Sequence, residues 1–404
     1  MNILFLTLID FNSYAEHNIY CDLLREFIKN GHEIYCVSPV ERRACLDTHF
    51  EENGHLLKLR IGNMQKTNII EKGISTLRIE SQLILAIKKY FRDVKFDLIL
   101  YSTPPITFAQ VVHFVKKRDN AATYLLLKDI FPQNAVDLGM MKSTGPKSII
   151  YHYFRHEEKK LYNISDRIGC MSQANINYVL LHNPEISAEK VEVCPNSIEV
   201  KGIKLNDGEK RFMRDKYGIP KDKMVFIYGG NFGKPQGIPF IIDCLKAQNQ
   251  NQKAFFLLVG DGTEYSKLEA YFNKEKPTNM KLMRQLPKND YDCMIAACDV
   301  GMIFLDHRFT IPNFPSRLLS YMQAKLPVLA CTDPNTDIGK VIVDGGFGWW
   351  CESNDTAAFD EVIKGISSAN LALLGENAWN YLNEKYTAEK CFAGIAVQKE
   401  FETV

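Results

Sequence analysis

The chain has 404 residues, 46% of them apolar and 24% charged, with a net charge of +1. That length accommodates two domains of ordinary size. The balanced charge, with no strongly basic half, excludes a nucleic-acid binder that relies on a broad electrostatic footprint. The eleven cysteines are scattered and never spaced C-x-x-C, which excludes a disulfide framework and a cysteine zinc site and reads as cytoplasmic usage.

Ile3–Ile9 is a continuous apolar run of buried-strand type. It is short and lacks the basic leader of a secretion signal. No apolar run reaches the roughly 20 residues that a spanning helix needs, so a soluble or peripheral protein is expected. A polar loop, Asp10–Asn18, leads into an amphipathic helix, Ile19–Asn30, with Leu23, Leu24, Phe27 and Ile28 inward. Gly31 closes that helix, and Glu33–Ser38 is the next strand. Strands are then expected at Asp97–Tyr101, Tyr124–Leu127, Arg167–Met171 and Val191–Cys194. Helices alternate with them at Glu80–Arg92, Thr107–Lys117, Ser148–Tyr162 and Asn175–His182.

The polar stretch Val200–Gly218 reads as a linker, after which the rhythm restarts. Strands are expected at Met224–Tyr228, Phe255–Val259, Met280–Met283, Val300–Leu305, Val328–Ala330 and Gly348–Cys351. Helices fall at Ile238–Asn249, Tyr265–Asn273 and Asn289–Ala297, after Pro315, and from Thr356. Asn377–Phe401 reads as one helix. The pattern is an α/β chain of two Rossmann-like, doubly wound parallel-sheet domains, 1–200 and 201–376. Ligands of such sheets bind beyond the carboxyl ends of the strands, here in a central cleft between the two edges.

The segment Pro312-Asn313-Phe314-Pro315-Ser316-Arg317-Leu318-Leu319-Ser320 is the most informative. Pro315 suits a first helical turn. Free amides with Ser316 and Arg317 make an anion site, although a plain αβ unit would look similar. Gly229–Gly237 lies between a strand and a helix. Its glycines let backbone approach a ligand, and Lys234 can meet an anion; a simple tight turn reads equally well. Gly260-Asp261-Gly262 is a comparable turn, with Asp261 a cap or a ligand contact. Asp129 follows a strand, where a general base or an acceptor-orienting carboxylate would stand, and a structural Asp tied to loop amides is an equal alternative. His17 is similarly placed in the first loop. His152 and His156 share a helical face without a third ligand, so no metal site is expected. The helix around Ile149, Ile150 and Tyr153, with Lys147, Arg155, Lys159 and Lys160, suits contact with anionic lipid or packing on its own sheet.

Taken in order, Asn30-Gly31-His32-Glu33, Lys128-Asp129-Ile130-Phe131-Pro132, Pro195-Asn196-Ser197, Gly229–Gly237, Gly260-Asp261-Gly262, Pro315-Ser316-Arg317 and Pro327-Val328 resemble family 4 glycosyltransferases of the GT-B fold. The bacterial branch that builds capsule, exopolysaccharide or O-antigen is the most similar. The resemblance implies a retaining transferase for hexosyl or N-acetylhexosaminyl groups. It would move a sugar from a nucleotide-sugar donor, UDP-linked, to a polyprenyl-diphosphate-linked saccharide. No metal or other cofactor is implied, nor any nucleic acid. Its place would be the cytoplasm, in peripheral contact with the inner face of the cell membrane.

By the same resemblance the second domain binds the donor. Gly230 and Asn231 would approach the diphosphate with Lys234 nearby. Pro315, Ser316 and Arg317 would serve the same phosphates. Arg284, Gln285 and Leu286 would hold the base, and Asn313 and Phe314 would lie against the donor sugar. Asp129 and the loop with Asp10 and His17 would face the acceptor, so Asp129, Arg317 and Lys234 are the expected catalytic residues. The terminal helix, 377–404, would pack back on the first domain. The chain departs from the family at its usual Glu-x7-Glu, where Pro312 and Ser320 stand. Ser320 would then be the ribose contact, with one weaker hydrogen bond. Gln236 replaces a customary lysine, and Arg317, Lys234 and Arg284 would have to meet the phosphate charge. A UDP-sugar epimerase of the same fold and a non-catalytic GT-B-like subunit remain the alternatives.

Overall fold

The apolar runs form two separate sheets in a computed structural model that describes residues 1–63, 69–203 and 205–396. Residue 204 of the expected linker and residues 397–404 of the expected terminal helix lie outside the described residues. The chain divides into two compact units, Met1–Glu199 with Ala388–Val404, and Val200–Thr387.

The first unit holds β1 (Asn2–Leu6), β2 (Glu33–Glu41), β3 (His49–Glu51), β4 (Leu56–Ile61), β5 (Leu98–Ser102), β6 (Ala122–Leu127), β7 (Arg167–Cys170) and β8 (Val191–Val193). Their order is β3-β4-β2-β1-β5-β6-β7-β8. Every pairing is parallel except β3 on β4. Ile3 to Leu6 are fully buried because β1 lies at the centre, between β2 and β5. Helices on both faces leave no wet side, which is why the run does not alternate.

The helix after β1, Ile19–Lys29, starts at Asn18, whose side chain accepts from the amides of Tyr20 and Cys21. It buries Tyr20, Leu23, Leu24 and Phe27. Ile28, expected inward, lies at the edge of that stripe and is exposed. Beyond β4 a helix runs from Ile69 to Tyr90, longer than the expected Glu80–Arg92. The aromatic helix Ile149–Ile164 buries Leu161 and Tyr162 but leaves Ile149, Ile150 and Tyr153 exposed at its start.

The second unit holds β9 (Met224–Asn231), β10 (Ala254–Asp261), β11 (Met280–Met283), β12 (Val300–Phe304), β13 (Val328–Thr332) and β14 (Gly348–Glu352). The order β11-β10-β9-β12-β13-β14, parallel throughout, is the doubly wound 3-2-1-4-5-6 arrangement. Two corrections concern its ends. The expected linker contains a helix, Asp207–Lys216, started by a reciprocal cap between Asn206 and Glu209. The expected single terminal helix is two, Leu371–Lys385 and Ala388–Ala396. Between them the chain re-enters the first unit, where the Ala388 amide donates to Ile198 O at 2.9 Å and Phe392 packs edge-on against Phe27. Among the described residues no helix is long and apolar enough to cross a membrane.

Candidate functional site

Strand order reverses between β9 and β12, so the crevice at their carboxyl ends is where a doubly wound sheet takes its ligand. β9 ends in Gly229, Gly230 and Asn231. Gly230 has φ +123°, and a Cβ there would lie 3.2 Å from Arg317 Nη2. A Cβ on Gly229 would strike Tyr291 Oη. The glycines are therefore required by a crowded polar cluster behind the strand end, and not only by the turn.

Arg317 is the centre of that cluster. Its guanidinium carbon lies 4.3 Å from the centre of the Tyr228 ring, a cation–π arrangement. Tyr321, one turn along the same helix, accepts from the Gly229 amide at 3.3 Å and donates to Met302 O at 3.1 Å. It thereby pins the helix to both β9 and β12. Burial opposes the charge on Arg317, and the oxygens of Tyr228, Tyr321 and Tyr291 more than offset it, so the guanidinium is held firmly protonated. Its Nη1 has no hydrogen-bond partner among the described residues. An unpaired buried donor on a cation costs stability unless an anion completes it.

The helix itself starts at Arg317, after Ser316 as its cap, so Pro315 precedes the first turn and is not part of it. Ser316 is exposed and makes no capping bond, and Ser320 is half-buried. The helix stops at Gln323 through left-handed Lys325, two residues before Pro327. Phe314, expected to lie against a sugar, turns inward and meets the Tyr386 ring. Asn313 offers its carbonyl to Thr336 Oγ1 at 2.5 Å, and its Nδ2 is buried without a partner among the described residues.

Lys234 is exposed in the turn Lys234–Gln236, beside the end of β9. Gln236 is buried and accepts from the Gly233 amide at 3.1 Å and Asn231 Nδ2 at 3.3 Å, so it closes this loop. Arg284 follows β11, away from the reversal point, and its charge is taken by Asp261 at 3.0 Å and Glu269 at 3.6 Å. Its guanidinium stacks 3.5 Å above the Tyr265 ring. Gln285 beside it is exposed and Leu286 half-buried.

In the first unit the order reverses between β1 and β5, and the loop after β1 carries Asp10 and His17. Asp10 binds Lys58, a lysine on β4 that is 1% exposed. Lys58 Nζ also donates to Phe11 O at 2.7 Å and lies 3.4 Å from Ser38 Oγ. His17 Nδ1 is 3.1 Å from Arg25 Nη2. Arg25 in turn holds Asp22, Glu199 at 2.9 Å and the carbonyls of Tyr14 and Glu16. His17, Asp22 and Glu199 are spaced as metal ligands might be, but the Arg25 guanidinium is bonded to all three.

Asp129 follows β6, the strand beside β5. Its amide donates to Thr103 Oγ1 at 3.1 Å, and Asn134 Nδ2 reaches both carboxylate oxygens at 2.9 and 2.8 Å. Burial pushes its pKa up from 3.8 to about 6 despite the Asn134 bonds. The groups that sequence reasoning missed are Lys58 and the tyrosines 228, 291 and 321. Lys58 had a visible signal, a lone charge in the apolar run Leu56-Leu57-Lys58-Leu59.

Residues 209–378 match the family model for glycosyl transferases group 1. A probable glycosyltransferase of Pseudomonas aeruginosa, WbjE, is 24% identical over 324 residues, 80% of this chain and 78% of that protein. The chain is a glycosyltransferase of the GT-B fold. A putative colanic acid biosynthesis glycosyl transferase of Escherichia coli, WcaI, is 23% identical over 62% of the glycosyltransferase and 61% of the relative. Among solved structures, sucrose-phosphate synthase from Thermosynechococcus elongatus superposes with a TM-score of 0.77 at 15% identity, over 99% of this chain and 98% of that one. Anabaena HepE in complex with UDP-glucose does so with a TM-score of 0.69 at 16% identity, over 99% of both. The matched family segment begins in the helix Asp207–Lys216 and contains all of the Arg317 cluster.

Proposed function

We propose that this glycosyltransferase is a retaining family 4 enzyme of bacterial surface polysaccharide synthesis. It takes a hexosyl or N-acetylhexosaminyl group from a UDP-sugar and passes it to a polyprenyl-diphosphate-linked saccharide. The observation that carries the reading is the Arg317 guanidinium, fixed on Tyr228 beside the Gly230 turn with Nη1 unpaired. The UDP-glucose complex of HepE supports the donor class, and the colanic acid name of WcaI supports the polysaccharide setting.

As the glycosidic bond to a diphosphate breaks, negative charge grows on the departing phosphate. A cation already held in place there lowers the barrier, because the fold has met its organisation cost in advance. Arg317 supplies that charge from its helix beside the end of β9, with Lys234 as an exposed second cation on the loop after β9. Gly230 and Asn231 offer backbone, Ser316 a hydroxyl, and Ser320 a single ribose hydrogen bond. Asn313 completes the sugar side, while Arg284 serves the base only through its backbone, together with Gln285 and Leu286. In the first unit Asp129 orients the acceptor hydroxyl, and the loop that carries Asp10 and His17 faces the same acceptor. The chemistry as written uses no metal. Ile149, Ile150 and Tyr153 are exposed, with Lys142 and Lys147 close in sequence and also exposed. That surface favours peripheral contact with the inner face of the membrane.

The test is thermal unfolding with UDP, GDP and NAD in parallel, followed by turnover with UDP-sugars. Ligand at about 100 times its Kd adds roughly 2.7 kcal/mol, several degrees for a chain of this kind. Stabilisation by UDP that Arg317→Ala abolishes is the expected result. Stabilisation by GDP alone would replace the donor, and none at all would leave a non-catalytic subunit as the better reading.

A further inference from the structure

One pair of side chains in the first unit has no part in this chemistry. Cys194, just past β8, and Cys391, on the helix Ala388–Ala396, hold their sulfurs 3.1 Å apart. Both residues are buried, at 3% and 7% exposure. A disulfide bond is about 2.05 Å long, so roughly 1 Å of approach separates the pair from a covalent link. Lys128 lies over them, its Nζ donating to the carbonyls of Cys194 and Pro195 at 3.2 Å each.

The two thiols are electronically unequal. The contact between the sulfurs can run either way; with Cys194 as the donor, Cys391 is brought down to about 7 against the effect of burial, with the Lys128 charge assisting. Cys194, the donor, is pushed up. A thiolate next to a thiol is the arrangement from which disulfides form, since the thiolate is the nucleophile and its neighbour resolves the product. A second close pair, Cys331 and Cys351, lies 3.5 Å apart on β13 and β14. No lysine or arginine stands among the causes that shift either thiol.

We propose that Cys194 and Cys391 are a modification site at which hydrogen peroxide forms a reversible intramolecular disulfide. The Cys391 thiolate attacks one peroxide oxygen, the O–O bond breaks, and hydroxide leaves and takes a proton to become water. Cys391 is then a sulfenic acid. The Cys194 sulfur attacks the Cys391 sulfur, the S–O bond breaks, and the departing hydroxide takes the Cys194 proton. Two thiols and one peroxide give one disulfide and two waters, and a dithiol reductant reverses it. The new bond ties the end of β8 to the helix on which the chain returns, close to both of its crossings between the units, at Glu199–Val200 and Thr387–Ala388.

The test uses the full chain. It is exposed to a small excess of hydrogen peroxide, alkylated after denaturation, digested without reductant and mapped by mass spectrometry. The expected product is a Cys194–Cys391 linked peptide that dithiothreitol removes, with alkylation of both thiols reduced by at least about tenfold. Cys391→Ala and Cys194→Ser should each abolish it. Because either variant could disturb the core, mapping of the unsubstituted chain decides. The proposal fails if both thiols remain fully alkylatable. It also fails if Cys391 advances to sulfinic acid without the linked peptide, or if Cys331–Cys351 is the pair that links.

Discussion

At the carboxyl edge of the second sheet, Arg317 is a cation with tyrosines around it and, among the described residues, no carboxylate paired with it. In the first unit, Lys58 and Arg25 are each closed by acids, Asp10 of the loop after β1 for one, and Asp22 of the same helix with Glu199 for the other. The two sheets share one winding pattern, so topology did not decide this. What differs is whether the fold neutralises its own charge. A self-neutralised edge fixes a loop; an incomplete one waits for a ligand. This is how one architecture hosts different chemistry at equivalent places.

The largest expected effect tests the incomplete edge. Arg317→Ala should cut kcat/KM by about 10²–10³, near 3–4 kcal/mol of transition-state stabilisation, with the far-UV spectrum unchanged. A drop below about threefold would mean that the unpaired cation serves only packing. The closed edge should respond in stability. Lys58→Met leaves Phe11 O and Ser38 Oγ without their donor, and denaturant unfolding should show a loss of about 2 kcal/mol. If stability is unchanged and turnover collapses, Lys58 belongs to the chemistry and the contrast between the edges is wrong.

Asp129 lies between these cases, a carboxyl that neither edge neutralises with a cation. Its pKa is raised from 3.8 to about 6, so the protonated form is favoured in the folded state. The associated stability is present below about pH 4 and is lost as the pH rises through 6. Turnover should therefore fall on the acid side of about pH 6. Asp129→Asn should remove that limb, lower turnover about tenfold, and raise the melting temperature at pH 7.5 by a few degrees. An acid limb that survives the substitution would assign it elsewhere. The smallest effect is expected at Arg284, whose charge Asp261 and Glu269 already take. Arg284→Ala should change KM for the donor less than about threefold, and a tenfold rise would put it back among the phosphate ligands.

Elements with strong local signals were legible. Met280–Met283 is the strand the sequence predicts, and Gly229, Gly230 and Arg317 lie together as the motif order implies. The missed pieces are those whose reason lies elsewhere in space. Lys58 is stable inside a strand only because a loop 48 residues upstream brings it a carboxylate. The helix Asp207–Lys216 buries only Met213, so it has no apolar stripe to read, although its capping box was in plain view. Arg284 was placed by the resemblance and by its position after a strand, whereas its partners Asp261 and Glu269 lie on β10 and on the helix Tyr265–Glu275.

The second unit interrupts the first in the chain, which leaves at Glu199 and returns at Ala388. Cys391 and Ile395 of the returning helix complete the core that Phe5, Leu24 and Phe27 began. On the ribosome, where chains emerge at about 5–20 residues per second, the unit made first is therefore the one finished last. For the roughly 10–40 seconds that the intervening residues take at that rate, the face of Ile19–Lys29 that meets the returning helix is uncovered in the nascent chain. That exposure follows from the order of synthesis, and circularly permuting the chain to begin near Ala388 would remove it.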